Sequence, residues 1–219
     1  LHYPLRRQRQ MCIRDRVKQI LRSRFTAMCD DEIELIGEKL RNPFKQRFRM
    51  ILFVAESIKG RVRGFATILH EPEIRFVYLD WIAAASSRSS GVGGALYERV
   101  RREAKALEAK GLFFECLPDD AENCPNEALL KENRARLRFY ERYGARPIVG
   151  TAYESSVSSD DTCMPHLVYD GLDNQAPPRN RFARKVVQAI LERKYADYCP
   201  ADYVEKVVAS FQEDPVRLR

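Results

Sequence analysis

The chain of 219 residues lacks the spacings that mark common metal and disulfide frameworks. None of its six cysteines forms a C-x-x-C pair, and there are only three histidines. No zinc pattern results, so we expect no metal and reduced thiols. The sequence also has no apolar run of about twenty residues and no signal-peptide pattern. We therefore expect a cytoplasmic protein without a membrane partner.

The chain also has no block of five or more like charges, although 32% of its residues are charged and its formal net charge is +7. A mildly basic surface suits anionic partners such as nucleic acid, anionic lipid or a phosphorylated cofactor. It is equally typical of solvated helical faces. Arg134, Arg136 and Arg138 are spaced by two, which spreads them around a helix, and no nucleic-acid-binding module is recognisable. We expect no nucleic-acid partner and keep nucleic-acid binding as an alternative.

The composition divides the chain into three parts. Residues 1–16 have no clear hydrophobic period and contain MCIRDR, which resembles a translated sequencing-adaptor scar found at the ends of metagenomic reading frames. We interpret them as a non-native or disordered arm with little order before about residue 14, the alternative being a native basic arm. Residues 17–170 are patterned as one domain. Residues 171–219 read as a linker and C-terminal helices, which either dock on that domain or begin a truncated second one.

The hydrophobic period of residues 17–170 predicts the order α-α-β-β-β-α-β-α-β-β. A helix begins at Val17, and a hairpin follows the second helix. The helix after the third strand is predicted to run to about Lys110 and to stop at Gly111, and the next helix to stop at Gly144. RPIVGTAYES and PHLVYD are the last two strands. This order predicts an α/β fold with an antiparallel front and one right-handed crossover that joins two parallel strands.

The stretch RSSGVGGALYERV places glycines between the third strand and the following helix. The first helical turn leaves backbone N–H groups unpaired and carries partial positive charge, and glycines let a ligand approach the backbone. Arg88 can add a charge-assisted hydrogen bond. We therefore predict a phosphate or pyrophosphate site. A P-loop is excluded because Gly-Lys-Ser/Thr is absent, and the dinucleotide fingerprint fails at Leu96, where its third glycine should stand.

Arg88, Gly91 and Gly93 form the pattern Arg-x-x-Gly-x-Gly, which resembles the acyl-CoA pyrophosphate loop of the GCN5-related N-acetyltransferase (GNAT) superfamily. The resemblance covers about residues 16–170. It departs from the superfamily where the usual first strand should precede the two helices. It also departs at Ser89 and Ser90, where many members carry glycine and a basic residue.

A second stretch, NRARLRFYERYGARP, resembles the later helical motif of the same superfamily. The matching positions are Asn133, Ala135 (one position early), Tyr140 and Gly144. The resemblance implies a mixed, mostly antiparallel central sheet with a splayed parallel strand pair, flanked by helices and followed here by the C-terminal helices. It also implies an N-acetyltransferase (an acyltransferase) in which a primary amine attacks acetyl-CoA, the co-substrate, directly in a ternary complex.

The implied acetyl-CoA contacts are Ile82, Ala83, Ala84, Arg88, Ser89, Ser90, Gly91, Val92, Gly93, Gly94 and Asn133. A backbone N–H near Ile82 to Ala84 would polarise the thioester carbonyl. Tyr140 matches the tyrosine that acts as general acid, with Tyr143 as the fallback; the alternative is that both only pack in the core. Asn133 has a helix-capping role as its alternative.

Two carboxylates stand inside the central strands, Asp80 and Glu115. Either could act as general base or hold the ammonium group of the acceptor. The alternative is that each pairs with an arginine or faces a wet edge. The loop PDDAENCPNE is acidic, which suits a cationic acceptor and equally an ordinary solvated loop.

The main alternative function is a non-catalytic acyl-CoA sensor. The whole chain also resembles, less strongly, the front part of larger bacterial proteins in which an acetyltransferase-like module precedes a histone-deacetylase-like amidohydrolase. That resemblance implies a deacetylase-like domain in the same protein as a partner. The acceptor would then be a small-molecule amine, such as a polyamine, or a lysine-type amine.

Overall fold

The computed structural model describes residues 3–25, 30–42, 48–85, 91–154 and 164–219. Within these residues the fold is mixed α/β, with six strands that are mostly antiparallel and include one parallel pair, flanked by helices. The predicted fold class is therefore confirmed. The chain forms two compact units, Leu1–Glu71 with Tyr78–Ala106 and Pro72–Val77 with Leu107–Arg219.

The first unit holds the early helices, the hairpin and the glycine-rich turn. Its elements are α1 (Tyr3–Arg24), α2 (Asp30–Arg41), β1 (Arg49–Glu56), β2 (Val62–Glu71), most of β3 (Phe76–Ala84) and α3 (Val92–Ala106). The hairpin is antiparallel and in register from Arg49 opposite His70 to Ala55 opposite Gly64. Gly60 closes its turn with a φ of +70°, which a residue without Cβ adopts at no steric cost.

The core of the first unit forms where the helical stripe predicted from Val17 onward meets β2. Val17, Ile20 and Leu21 of α1 are almost fully buried and cluster with Ile33 of α2 and Phe65 of β2. A stripe at three- and four-residue spacing places these side chains on one face of a helix. The predicted helical period is confirmed there.

Two helix boundaries differ from the prediction. α1 begins at Tyr3 rather than Val17, because Pro4 is tolerated in a first turn and no proline or glycine follows before Arg24. The described part of the N-terminal arm is thus helical, and its interpretation as a non-native or disordered arm stays a prediction. α3 ends at Ala106 rather than near Lys110. Just after this end the chain turns at Glu108, which has a φ of +54°.

The second unit contains the remaining strands and the C-terminal helices. Its elements are β4 (Leu112–Cys116), α4 (Glu127–Glu141), β5 (Arg146–Pro147), β6 (His166–Asp170), α5 (Asn180–Ala189), a π-helical turn (Ile190–Lys194) and α6 (Ala201–Ser210). β6 pairs antiparallel with both β4 and β5. The start of β3 also belongs to this unit, where Val77 N donates to Gly111 O.

The predicted strand RPIVGTAYES is much shorter in the structure. Only Arg146–Pro147 pairs as a strand with β6, and residues Ala152–Glu154 form a short 3₁₀ turn. Ile148 N still donates to Leu167 O of β6, but the chain here also bonds to the C-terminal segment. Val149 N donates to Arg217 O at 3.0 Å, and Arg219 N donates to Pro147 O at 2.9 Å. These contacts are distant in the sequence, so the local pattern could not predict them.

The C-terminal segment packs inside the second unit. The ring of Phe182 lies 5.9 Å from that of Phe113 in β4, centroid to centroid, and Ser210 Oγ accepts a hydrogen bond from Ala152 N. The C-terminal helices thus belong to the second unit. Among the helices of the described residues, none is both long enough and apolar enough to cross a membrane.

Candidate functional site

The glycine-rich turn between β3 and α3 has the predicted form where the structure describes it. Gly91 has a φ of +87°, and α3 starts at Val92 with no acidic residue in its first turn. The N–H of Ala95 donates to Gly91 O at 2.9 Å, so the N–H groups of the preceding helical residues have no acceptor within the helix. Val92, Gly93 and Gly94 are half-buried. Apart from the chain neighbours of Gly93 and the backbone of its own helix, no atom of the described residues lies within 4 Å of where a Cβ on Gly93 would stand. This geometry suits an anion.

Three predicted contacts in this loop lie outside the described residues. They are Arg88, Ser89 and Ser90. Their roles stay predictions from the sequence.

Gly64 in β2 packs against the end of β3 and the start of α3, a role that the sequence pattern did not indicate. A Cβ at this position would stand 2.7 Å from the carbonyl oxygen of Ala83 and 2.8 Å from Cγ1 of Val92. Only glycine therefore allows β3 and the start of α3 to approach β2 this closely. A glycine inside a strand pattern was the signal that could have revealed it.

The end of β3 is more exposed than its beginning. Ile82, Ala83 and Ala84 are half-buried, whereas Phe76 to Leu79 are buried. Ala84 O accepts a hydrogen bond from Arg24 Nε at 3.1 Å. Asp80 lies at the change from buried to half-buried residues in the same strand. The first unit thus brings together the strand end, Asp80 and the helix N-terminus.

Tyr140 lies in the second unit on the buried face of α4. It is 5% exposed, and its ring packs against Phe114 of β4. Burial is the main cause that raises the pKa of Tyr140 well above its ordinary value of 10.0. The hydroxyl therefore keeps its proton across the neutral range. The fallback residue, Tyr143, is half-buried beside Phe139.

Glu115 lies in β4 and is half-buried. Its Oε1 accepts a hydrogen bond from Tyr153 Oη, and its Oε2 accepts one from Tyr195 Oη at 2.6 Å. The sequence had offered an arginine partner or a solvent-exposed edge as alternatives for Glu115. Its hydrogen bonds to two tyrosine hydroxyls correspond to neither. The sequence did not indicate either tyrosine as a partner, because they lie 38 and 80 residues further along the chain and no local pattern connects them to Glu115.

Asn133 is buried inside α4, and its capping alternative is wrong. Asn126 caps the helix, accepting hydrogen bonds from the N–H groups of Ala128 and Leu129. The Asn133 amide instead donates to Pro118 O at 2.9 Å, which fixes the loop after β4 against α4. Its predicted contact with acetyl-CoA stays a prediction.

A group of polar side chains at the end of β4 was not foreseen. Asp119, Asp120 and His166 place possible ligand atoms within 4.8 Å of one another. Both oxygens of Asp119 already accept hydrogen bonds from the Arg219 guanidinium, at 2.8 and 2.9 Å. Burial opposes the charge of Asp119, but the Arg219 hydrogen bonds outweigh it and lower the pKa of the carboxyl. We interpret this group as an ion-pair network that fastens the C-terminal segment.

Comparison with known proteins identifies the fold. No protein-family model matches the chain, and no curated protein matches its sequence. Among solved structures, an aminoglycoside 6′-N-acetyltransferase complexed with coenzyme A matches with a TM-score of 0.53 at 17% identity, over 72% of this chain and 89% of that one. The aminoglycoside 6′-N-acetyltransferase of Enterococcus faecium matches with a TM-score of 0.53 at 16% identity, over 72% and 89%. A type Ii aminoglycoside 6′-acetyltransferase matches with a TM-score of 0.52 at 18% identity, over 71% and 86%. This chain therefore shares the acetyltransferase fold that the GNAT resemblance implied.

Proposed function

We propose that this protein is an acetyl-CoA-dependent N-acetyltransferase whose acceptor is the primary amine of a small molecule. The observation that carries the proposal is the turn after β3, where Gly91 in a left-handed conformation leads into a helix start without acidic residues. Further support comes from the fold, since similar structures are aminoglycoside N-acetyltransferases, one of them complexed with coenzyme A.

The residues of the first unit fit a pyrophosphate-bearing ligand. The N–H groups at the start of α3 would bind the pyrophosphate, with Gly93 leaving space for it. Arg88, Ser89 and Ser90 would complete the loop, and Arg88 would add a charged donor. Residues Ile82 to Ala84, with two small side chains and partial exposure, would line the pantetheine arm.

The catalytic roles follow the sequence motif. Acetyl-CoA, when bound, supplies a thioester whose C–S bond is replaced by the C–N bond of the amide. Tyr140 would donate a proton to the departing thiolate sulfur, and its burial keeps that proton in place at assay pH. Asp80 would take the proton that the attacking amine loses, directly or through water. Proximity of the two substrates would supply much of the remaining rate.

Calorimetric titration with acetyl-CoA tests the binding half of this proposal. We expect micromolar affinity, about −8 kcal/mol, and loss of binding in Arg88→Ala and in Gly93→Val. Arg102→Ala is the matched control, because Arg102 is an exposed arginine on α3 and its loss changes the net charge equally. Absence of binding by the folded wild type, or equal affinity in all variants, would overturn the assignment of this loop.

A non-catalytic acyl-CoA sensor is the second candidate, attached in that case to a deacetylase-like domain. The observation in its favour is that Glu115 is held by two tyrosine hydroxyls and that Tyr140 is packed against Phe114. Thiol release measured with a panel of primary amines separates the two functions. Acetyl-CoA binding without turnover of any amine would favour the sensor, whereas turnover that depends on Tyr140 would favour the enzyme.

A further inference from the structure

Glu115 and its two tyrosines form a compact cluster within the second unit, hereafter the Tyr–Glu–Tyr cluster (Tyr153, Glu115 and Tyr195). Glu115 stands on β4, Tyr153 on the 3₁₀ turn after β5, and Tyr195 directly after the π-helical turn Ile190–Lys194. Three separate segments thus place polar groups at one point. Tyr153 is 4% exposed, whereas Glu115 and Tyr195 are half-buried, so the cluster is not fully enclosed.

Among the described residues, the hydrogen-bond partners of the Glu115 carboxylate are uncharged. Both hydrogen-bond donors to Glu115 are neutral hydroxyls, and no lysine or arginine in the described part of the chain forms an ion pair with this carboxylate. Burial first, and the Glu115 charge second, raise the pKa of Tyr153 well above its ordinary value, so its hydroxyl stays neutral and keeps donating. A half-buried carboxylate with only neutral partners favours the approach of a cation.

The remaining hydrogen-bonding capacity suits an ammonium group. An ionised carboxylate offers about four lone-pair positions, and the two tyrosine hydroxyls use one on each oxygen. One of the two rings also has a cation on its face, because Lys194 Nζ lies 4.6 Å from the centroid of the Tyr195 ring.

We propose that the Tyr–Glu–Tyr cluster binds a second, non-reacting ammonium group of the acceptor, which makes the acceptor a diamine or a polyamine. The inference rests on the proposed function and specifies its substrate class. The group held here is not the reacting one, because an attacking amine needs a free lone pair and must be uncharged. A carboxylate with free hydrogen-bonding positions instead stabilises the ammonium form.

Direct binding of two probes tests the subsite without requiring acetyl transfer. The probes are a diaminopentane with an amino group at each end and an aminopentanol in which a hydroxyl replaces one amino group. Each is titrated calorimetrically in the absence of acetyl-CoA into wild type, Glu115→Gln and Glu205→Gln. Glu205 is an exposed glutamate of α6 in the same unit, so its variant is matched in charge and in chemistry.

We expect the wild type and Glu205→Gln to bind the diamine about tenfold more tightly than Glu115→Gln does. The aminopentanol should bind weakly and equally to all three. The side-chain amide introduced by Glu115→Gln can still accept one tyrosine hydrogen bond and donate another, so the fold should survive. Equal diamine affinity in Glu115→Gln, or no preference of the wild type for the diamine over the aminopentanol, would overturn the subsite.

The wild-type comparison of the two probes needs no variant and therefore stands even if Glu115→Gln fails to fold. The outcome for the subsite is also separable from that for the proposed function. Diamine binding that depends on Glu115 together with failure to bind acetyl-CoA would refute the acetyltransferase and leave the cation subsite. Acetyl-CoA binding together with equal diamine affinities in wild type and Glu115→Gln would refute the cation subsite and leave the acetyltransferase.

Discussion

The rings of Tyr140 and Phe114 pack together with their centroids 4.4 Å apart and their planes inclined by 51°. This contact places the candidate general acid on the buried side of α4, beside the strand that carries Glu115. The ring of Tyr140 therefore has a packing role whatever its hydroxyl does. The two roles separate in a variant that keeps the ring and removes the oxygen.

Tyr140→Phe is that variant. If the hydroxyl protonates the leaving thiolate, kcat should fall about a hundredfold, with the affinity for acetyl-CoA unchanged. The free energy of unfolding should change by only about 1 kcal/mol, since the ring still packs. Tyr143→Phe, on the half-buried side beside Phe139, is the control. A larger kcat loss in Tyr143→Phe than in Tyr140→Phe would transfer the role to the fallback residue.

Gly64→Ala should destabilise the first unit by about 1–3 kcal/mol. The added Cβ would meet a backbone oxygen, that of Ala83, at 2.7 Å, and no side-chain rotation can relieve that contact. The start of α3 would shift as well, so acetyl-CoA affinity should fall. Gly37→Ala, in helix α2, is the matched control, because the added Cβ would meet only the side chain of Arg14 of α1, at 3.6 Å. Thermal unfolding that ranks the two variants equally would contradict this account of Gly64.

Alkaline pH should destabilise the protein through Cys116. Burial raises the pKa of this thiol from 9.0 to about 12. The unfolded chain then loses the proton near pH 9, while the folded chain retains it until about pH 12. The contribution of the protonated thiol to the free energy of unfolding is therefore complete below pH 9 and is lost as the pH rises to about 12. This loss amounts to at most about 4 kcal/mol.

Urea unfolding at several pH values between about 8 and 11 measures this loss, because that range spans the ordinary thiol pKa. Cys116→Ala should flatten the pH dependence, whereas Cys12→Ala, which changes an exposed cysteine on α1, should not. An identical slope in wild type and Cys116→Ala would show that other groups, such as the buried Tyr140, dominate the alkaline transition.

The sequence predicted those parts of the fold that depend on local pattern. Hydrophobic period and glycine placement predicted the β1–β2 hairpin and the succession of β3 and α3. The structure confirms the positions of these elements. The start of α1 was missed because a polar helix without a breaker carries no apolar period. The short β5 was missed because Ile148 is paired with Leu218, 70 positions away in the chain.

The candidate site likewise combines local features, which the sequence predicted, with tertiary contacts, which it did not. Gly91 and the helix start are local features, and the motif predicted them directly. The partners of Glu115 are tertiary contacts: the residue types are ordinary tyrosines, and only folding brings them to the carboxylate. A carboxylate inside an apolar strand did predict that some partner must exist, because burying an unsatisfied charge is costly. It could not identify which one.

The docking of the C-terminal segment gives a last prediction. Phe211, just after α6, is 1% exposed, and its carbonyl oxygen accepts a hydrogen bond from Arg184 Nε at 2.8 Å. Phe211→Ala should cost about 3–5 kcal/mol of the free energy of unfolding. Tyr198→Ala, which changes an aromatic residue that is 66% exposed, should cost far less.

Hydrogen exchange shows whether that loss reaches the strands of the second unit. Because Phe182 packs on Phe113 and Tyr195 bonds to Glu115, loosening the C-terminal helices should speed amide exchange in β4. If Phe211→Ala speeds exchange only beyond residue 171 and leaves β4 unchanged, the segment folds independently. The Tyr–Glu–Tyr cluster would then depend on a loosely attached tyrosine. Faster exchange in β4 would instead establish that the C-terminal helices belong to the same cooperative unit as the candidate site.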